Sequence, residues 1–308
     1  MTTAPTEPTT TDPTTPTGTT ATTATTAPHG STGRTILVTG GTGKTGRRVA
    51  ERLLAAGHDV RIGSRAAAPP FDWHDRSTWA AALDGVGAAY LAYAPDLGFP
   101  GAAETVGELA TYAAAHGVER LVLLSGRGEA GARVAERLVQ QAGAAWTIIR
   151  SAVFAQNFTE GAFVEQVLEG AVALHVEDVA EPFVDVDDIA EIAAAALVDD
   201  RHAGQLYEVT GPRLLTFTDA LATIGTAIGR PVAYVRITPD ELLGGLAAAG
   251  VPADDAANLV ELFSEILDGR NSSVADGVRR ALGRPARDFD EFVAAAASAG
   301  AWSVEEVA

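Results

Sequence analysis

The sequence predicts an α/β fold in which a doubly wound parallel sheet is followed by a smaller, mostly helical C-terminal lobe. Three observations support this prediction. From residue 35 onward, strand-like runs alternate with helical stretches. The strand-like runs are apolar throughout, as in strands that are covered on both faces of a sheet. After about residue 151 the alternation ends, and helical stretches outnumber the short strand-like runs.

In the first half, each predicted strand is followed by a helix, which is the pattern of a parallel sheet. Gly57, Gly117 and Gly143 each follow a helical stretch, where a glycine commonly ends a helix. The predicted strands are residues 35–39, 59–63, 86–93, 119–125 and 145–150. The predicted helices between them are residues 44–56, 77–83, 102–116 and 132–142.

In the second half, Asp185, Asp187 and Asp188 open one of the helices. They fit a helix N-cap with acids in the first turn better than a metal site, and no metal is predicted. Short strands are predicted at residues 205–209 and 232–237. Helices are predicted at residues 159–168, 187–197, 218–228, 240–249, 254–267 and 288–297.

Composition excludes several classes of function. The chain has 308 residues, is 47% hydrophobic, carries a net charge of −18 and contains no cysteine. The negative charge argues against a nucleic-acid partner, and no apolar run is long enough to span a membrane. The N-terminus lacks the basic start and apolar core of a signal peptide, so a cytoplasmic protein is expected. Half of residues 1–32 are threonine, and this segment is predicted to be a disordered tail.

The stretch TILVTGGTGKTGRRVAERLLAAG, residues 35–57, contains two overlapping phosphate-binding patterns. Its Gly-Lys-Thr triplet resembles the end of an ATP-binding P-loop, but such a loop needs a glycine at the position of Val38. A dinucleotide-binding turn between strand and helix fits better, with glycines at Gly40, Gly43 and Gly46. The helix N-terminus would then face the pyrophosphate. The sequence therefore predicts a Rossmann-type sheet, the alternative being a glycine-rich turn without a ligand.

The end of the second predicted strand indicates which dinucleotide is bound. An NAD site usually has an acidic residue there for the ribose 2′-hydroxyl, but this chain has Ser64 and Arg65. A guanidinium pairs with a 2′-phosphate, and the serine hydroxyl adds a donor. We therefore expect NADP(H) rather than NAD(H), the alternative for Arg65 being a solvated surface charge.

The phosphate loop at 39–46 resembles that of the NmrA-like atypical short-chain dehydrogenases/reductases. The segment FDWHDRSTWAAALDGVGAAYLAYAP, residues 71–95, resembles the third-strand region of one branch, the ergot-alkaloid reductase-like proteins of the agroclavine dehydrogenase type. GVERLVLLSG at 117–126, WTIIRSAVFAQNF at 146–158 and EPFVDVDDIAEIAAAAL at 181–197 also fit the family. The resemblance runs from about residue 35 to residue 302.

The resemblance implies a set of cofactor contacts. The pyrophosphate would be held by Gly40, Thr42, Gly43, Lys44, Thr45 and Gly46, and the 2′-phosphate by Arg65 with Ser64. Asp72 and Trp73 would lie near the adenine, and Tyr93, Ala94 and Pro95 would line the ribose. Ser125 and Gly126 would lie near the nicotinamide, with Ala152, Val153 and Phe154 following the next strand.

The proton donor of ordinary short-chain dehydrogenases is missing. Their Tyr-x-x-x-Lys motif cannot occur, because Lys44 is the only lysine. Tyr112 and His116 have the right spacing, but their helix is expected to pack against the sheet. Ketone reduction needs a general acid, whereas an iminium or a quinone is already activated toward hydride. The catalytic residues are therefore unknown, with Ser125, Asn157 and His175 as weak candidates.

Three functions remain open. The first is an NADPH-dependent reductase of an iminium, imine, quinone or similar small molecule, in secondary metabolism. The second is a regulator that senses NADP(H) without catalysis, and the third is a non-redox enzyme that holds NADP structurally. Substrate contacts are expected from Phe154, Gln156, Asn157, Phe158 and Phe183. The predicted domains are a tail at 1–32, a dinucleotide-binding domain at 33–155 and a substrate lobe at 156–308 with strands returning to the main sheet. A homodimer is compatible with the sequence.

Overall fold

In the computed structural model, residues 34–161 and 163–303 are described. The predicted tail at 1–32 lies outside them. The strands are β1 (Thr35–Thr39), β2 (Val60–Gly63), β3 (Val86–Leu91), β4 (Arg120–Gly126), β5 (Ala145–Ser151), β6 (Ala171–Leu174), β7 (Gln205–Val209) and β8 (Ala233–Arg236). The helices are α1 (Lys44–Ala55), α2 (Trp79–Leu83), α3 (Ala102–Ala115), α4 (Ala130–Gln140), α5 (Asn157–Glu160), α6 (Val164–Glu169), α7 (Val186–Val198), α8 (Phe217–Ile228), α9 (Pro239–Ala248), α10 (Ala253–Ile266), α11 (Gly277–Leu282) and α12 (Phe289–Ser298).

The main sheet is parallel and has the strand order β2-β1-β3-β4-β5-β7. The chain builds outward from β1 to β2, then returns and places β3 on the other side of β1. This reversal opens a crevice at the carboxyl ends of β1 and β3, where ligands of such sheets bind. The predicted doubly wound Rossmann-type sheet is confirmed.

Both faces of the sheet are covered, which explains why its strands are apolar throughout. In β4, Leu121 and Leu123 face a cluster shared with α3 and α4, whereas Val122 faces a cluster shared with α1 and α7. Side chains alternate between the faces of a strand, so a strand buried on both sides is apolar over most of its length. The central strand β3 is buried at every position.

The C-terminal region has its own apolar cluster, rich in phenylalanine. Phe158 contacts Phe163, Phe183, Phe217 and Phe289, with ring centroids 5.4–6.1 Å apart. Offset and edge-on ring pairs of this kind stabilise a core beyond the burial of their surface. A two-stranded parallel sheet of β6 and β8 also belongs to this region. The boundary near residue 155 stays a prediction.

Several elements differ from the prediction. The single helix expected at 159–168 is two short helices, α5 and α6, because Gly161 between them is extended. The expected helix at 77–83 begins as a 3₁₀ turn, Arg76–Thr78. Strand β6 and helix α11 were not predicted. The segment at 71–95, which resembles the third-strand region of the family, contains β3 at Val86–Leu91.

The acids that open α7 form the predicted N-cap. The Asp185 carboxylate accepts a hydrogen bond from the backbone N–H of Asp187, at 2.8 Å. Within the described part of the chain, no group of three or more histidines and acids is arranged to hold a metal ion. In the same residues, no helix combines the length and apolar character needed to cross a membrane.

Candidate active site

The loop between β1 and α1 is shaped by glycines. Gly40 has φ +61°, a left-handed conformation, and the backbone N–H of Gly43 donates to the Gly40 carbonyl at 2.9 Å. A Cβ at Gly46 would collide with the Gly40 carbonyl group, so only glycine lets α1 pack this closely against the loop. Helix α1 has no side-chain cap and no acid in its first turn. Its N-terminal N–H groups and positive dipole end therefore face a potential anion site.

At the end of β2, Arg65 is exposed and makes no ion pair with any described residue. The next segment places the Trp73 ring against Phe71 and Tyr93, each at a centroid distance of 5.2 Å. The Asp72 carboxylate accepts a hydrogen bond from the His74 backbone N–H at 2.9 Å. Beyond β2 the chain thus carries a cation without an ion-pair partner among the described residues, followed by a segment with packed aromatic rings.

A cavity of about 310 Å³ opens at the carboxyl ends of β3, β4 and β5. Its ceiling comes from α10 and the residue after it, through Leu259, Leu262, Phe263, Ile266 and Leu267. Nine of the predicted site residues line it: Lys44, Tyr93, Pro95, Ser125, Gly126, Ala152, Val153, Phe154 and Asn157. The structure therefore brings predicted cofactor contacts and two predicted substrate contacts, Phe154 and Asn157, together in one cavity. The volume suits a small organic molecule or part of one.

The hydroxyl of Ser125 is fixed by a buried ion pair. Its Oγ donates to Glu136 Oε1 at 2.7 Å, and Arg150 binds both oxygens of the same carboxylate at 2.9 and 2.5 Å. Glu136 is 4% exposed. Since the hydroxyl proton is already donated to Glu136, Ser125 can accept a hydrogen bond from a ligand but is poorly placed to protonate one.

Lys44 reaches across the cavity wall to the C-terminal region. Its Nζ donates to Asn157 Oδ1 at 2.8 Å. Burial lowers the pKa of Lys44, and the nearby Glu160 carboxylate opposes that shift. Glu160 itself binds Arg47 and Arg48 at 2.5 and 2.7 Å, so the first turn of α1 is tied to α5 by charge. The amide of Asn157 therefore holds the lysine in place from one side.

Comparisons with known proteins agree with this geometry. Residues 36–134 match the NAD dependent epimerase/dehydratase family. The uncharacterized oxidoreductase YesF of Bacillus subtilis is 35% identical over 85% of this chain and 95% of its own length. Agroclavine dehydrogenase of Claviceps fusiformis is 31% identical over 84% of this chain and 96% of its own. The chain belongs to the NmrA-like atypical short-chain dehydrogenase/reductase family. It lies in the ergot-alkaloid reductase-like branch, and it is an oxidoreductase.

A solved structure shares the fold of this family member. The triphenylmethane reductase of Citrobacter sp., complexed with NADP(H), has a TM-score of 0.69 and 19% identity, covering 85% of this chain and 99% of that one. The predicted family is confirmed by the sequence relatives, and the predicted fold by this likeness.

Four residues predicted to contact substrate or donate a proton do not line the cavity of this reductase-family chain. Gln156 donates to Asp185 Oδ1 at 2.7 Å, and its Oε1 accepts from the Val186 backbone N–H. It thereby caps α7. Phe158 and Phe183 are 0% and 2% exposed in the C-terminal core. The structure therefore places these three predicted contacts outside the cavity lining, with Phe158 and Phe183 packed against Phe217, which does line it.

His175 also lies outside the cavity lining. Its Nε2 is 2.7 Å from Ser264 Oγ on the outer side of α10, and burial lowers its pKa. A lowered pKa leaves the imidazole neutral at pH 7, which weakens it as an acid. Its weak candidacy as a proton donor is therefore not supported by its position.

Sequence reasoning missed two carboxyl groups that line the cavity. Asp96 follows the Tyr-Ala-Pro segment after β3, and Glu129 follows β4. Burial raises the pKa of both. The only signal in the sequence was their place just beyond the carboxyl ends of two neighbouring strands, where ligands of parallel sheets bind. Glu129 is the more buried, with 7% of its surface exposed.

Proposed function

We propose that this protein is an NADPH-dependent reductase that transfers a hydride to an activated small-molecule acceptor, such as an iminium, an imine or a quinone. One observation carries the proposal. A single cavity runs from the phosphate-loop lysine, Lys44, past the strand ends at Ser125 to the apolar ceiling formed by α10. Such a space lets a dinucleotide and an apolar acceptor meet.

The residues present fit NADP(H). The uncapped first turn of α1 and the glycine-lined loop at 40–46 would receive the pyrophosphate. The free guanidinium of Arg65 would bind the 2′-phosphate, with Ser64 beside it. Trp73 would lie near the adenine and Tyr93, whose ring packs against it, along the ribose, with Gly126 and Val153 on the nicotinamide side. The NADP(H) complex of the related fold supports the choice of this cofactor.

When bound, NADPH supplies the hydride. The chain's own residues contribute position and a dry environment, since Leu262, Phe263 and Leu267 close the cavity from above. Ser125, held by Glu136, presents an acceptor lone pair to whatever lies beside it. Acceptor contacts in this proposal come from Phe154 and Asn157 together with the ceiling of α10.

The test measures oxidation of NADPH by its absorbance with a cyclic iminium, a quinone and an azo dye, with NADH in parallel. Arg65→Glu should lower kcat/KM for NADPH by about 10–100-fold, because a charged hydrogen bond of roughly 1.5–3 kcal/mol is lost. Rates with NADH should change little. Arg279→Glu is the matched charge reversal, because Arg279 is exposed, lies on α11 and makes no ion pair among the described residues.

Turnover that prefers NADPH in the wild-type protein, and loses that preference in Arg65→Glu, supports the proposal. Tight NADPH binding without turnover of any acceptor contradicts it and favours the regulator that senses NADP(H).

A further inference from the structure

Glu129 lies at the strand end where the proposed reaction would take place. It follows β4 by three residues, lines the cavity and precedes α4. Its carboxyl group packs directly on Gly126, where a Cβ would collide with it. Gly126 therefore has to be glycine for the carboxyl group to reach this position.

The carboxyl group of Glu129 is buried without a full set of partners. Its Oε2 has no hydrogen-bond partner among the described residues. A buried carboxylate without donors is costly, whereas a protonated carboxyl is less so. Glu129 meets the cavity through the small part of its surface that stays exposed, 7% of the residue.

The groups around Glu129 favour its protonated form. Asp96 faces it from the loop after β3, and both carboxyls lie beside Gly98. Glu265 faces it from α10, where it binds Arg270, and Glu136 faces it from α4, where it binds Arg150. Burial first, then these three negative charges, raise the pKa of Glu129 well above its usual range. These surroundings therefore favour the protonated carboxyl group over the carboxylate inside the cavity.

We propose that Glu129 is the proton donor for acceptors that gain negative charge when they are reduced. This inference rests on the proposed reductase function. A quinone receives a hydride from the reduced dinucleotide and becomes a phenolate-like anion. The Glu129 carboxyl O–H bond breaks, its proton joins the developing anion, and the carboxylate left behind is reprotonated by water. The product is the neutral hydroquinone, and the dinucleotide is oxidised.

An iminium needs no such donor. Hydride addition to the iminium carbon gives a neutral amine, so the reaction is balanced without a proton. Loss of proton donation should therefore slow reduction of the quinone but not of the iminium, whereas loss of folding or of NADPH binding should slow both. General-acid catalysis typically contributes about 10²–10⁴-fold to a rate.

The experiment compares wild type, Glu129→Gln and Glu129→Asp on one quinone and one cyclic iminium, with NADPH. Glu129→Gln should lower kcat for the quinone by about 10²-fold or more. Its kcat for the iminium should stay within about threefold, which also shows that the variant is folded and binds NADPH. Glu129→Asp should recover part of the quinone rate. Glu261→Gln, an exposed carboxyl on α10, is the matched control.

A second readout needs no cofactor or turnover. Infrared difference spectra of the ligand-free protein at pH 7, wild type minus Glu129→Gln, should show a protonated-carboxyl band, because Glu181, whose pKa burial raises to about 7, contributes equally to both proteins and cancels. Absence of that band in wild type would overturn the assignment.

The kinetic outcomes are distinct. Equal rates of wild type and Glu129→Gln on the quinone overturn the donor role while leaving the reductase function intact. A rise of KM for the iminium alone in Glu129→Gln would mean that Glu129 is ionised and attracts cationic acceptors. That result also overturns the donor role. Failure of the wild-type protein with every acceptor overturns the proposed function and this inference together.

Discussion

Replacing Gly46 by alanine tests whether the glycine-lined loop is the binding site for a dinucleotide. A Cβ at this position would lie 2.6 Å from the Gly40 carbonyl carbon and 2.9 Å from Gly41 Cα, and closer still to the Gly40 oxygen. Ordinary contacts begin at 3.4 Å, so the loop backbone would have to retreat by about 0.8 Å or more. Such overpacking typically costs about 1–3 kcal/mol. A loop displaced this far would no longer direct its backbone N–H groups toward a bound pyrophosphate.

The assay is titration of the protein with NADPH, followed by fluorescence, alongside urea unfolding. Gly46→Ala should weaken NADPH binding at least about tenfold, because each 1.4 kcal/mol is a factor of ten in affinity. Gly245→Ala is the control: Gly245 lies in helix α9 with no atom within 4 Å of its Cβ position. That change should stabilise the protein by about 0.5–1 kcal/mol and leave binding unchanged. Unaltered NADPH affinity in Gly46→Ala would refute the assignment of the loop.

Two further predictions concern single charged groups. Lys44→Met should weaken the binding of NADPH and NADH by a similar factor of about 10–100, because under the proposed function the lost charge would face the pyrophosphate that both share. Equal affinity of wild type and variant by calorimetry would contradict this. Glu181 has no exposed surface, and neither of its carboxyl oxygens has a hydrogen-bond partner among the described residues. Burial raises the pKa of Glu181 from 4.5 to about 7. The unfolded chain ionises first, so stability falls as pH rises from 4.5 to 7. In urea unfolding, the free energy of unfolding of Glu181→Gln should equal that of wild type at pH 4 and exceed it by up to about 3 kcal/mol at pH 8. The same difference at both pH values would show that ionisation of Glu181 is not the cause.

Local patterns predicted the sheet and the glycine-shaped turn between β1 and α1. The turn at Gly40 and the helix that follows depend on residues close in sequence, so their spacing is informative. The same holds for the N-cap at Asp185 and for the exposed Arg65 beyond β2. In each case the physical requirement, a left-handed residue or a capping oxygen, acts within a few positions of the chain.

What the sequence did not predict depends on distant contacts. Phe158 and Phe183 could face either the cavity or a core, and only their packing with Phe217 and Phe289 decides between them. Strand β6 has four residues and pairs with β8, far along the chain, so its own sequence carries a weak signal. Helix α10, which is distant in sequence, forms part of the environment of Glu129. The residues next to Glu129 in the sequence therefore could not indicate that it is buried.

The ceiling of the cavity comes from one stretch of chain. The apolar residues that close it lie within residues 259–267, whereas the glycine-rich loop between β1 and α1 lies more than 200 positions earlier in the sequence. Under the proposed function, a codon library confined to this stretch would vary the acceptor half of the pocket and spare the dinucleotide half. Gene duplication followed by drift at these few positions has the same effect. Under the proposed function, substitutions selected within residues 259–267 would thus change which acceptor is reduced and leave the NADPH site unchanged.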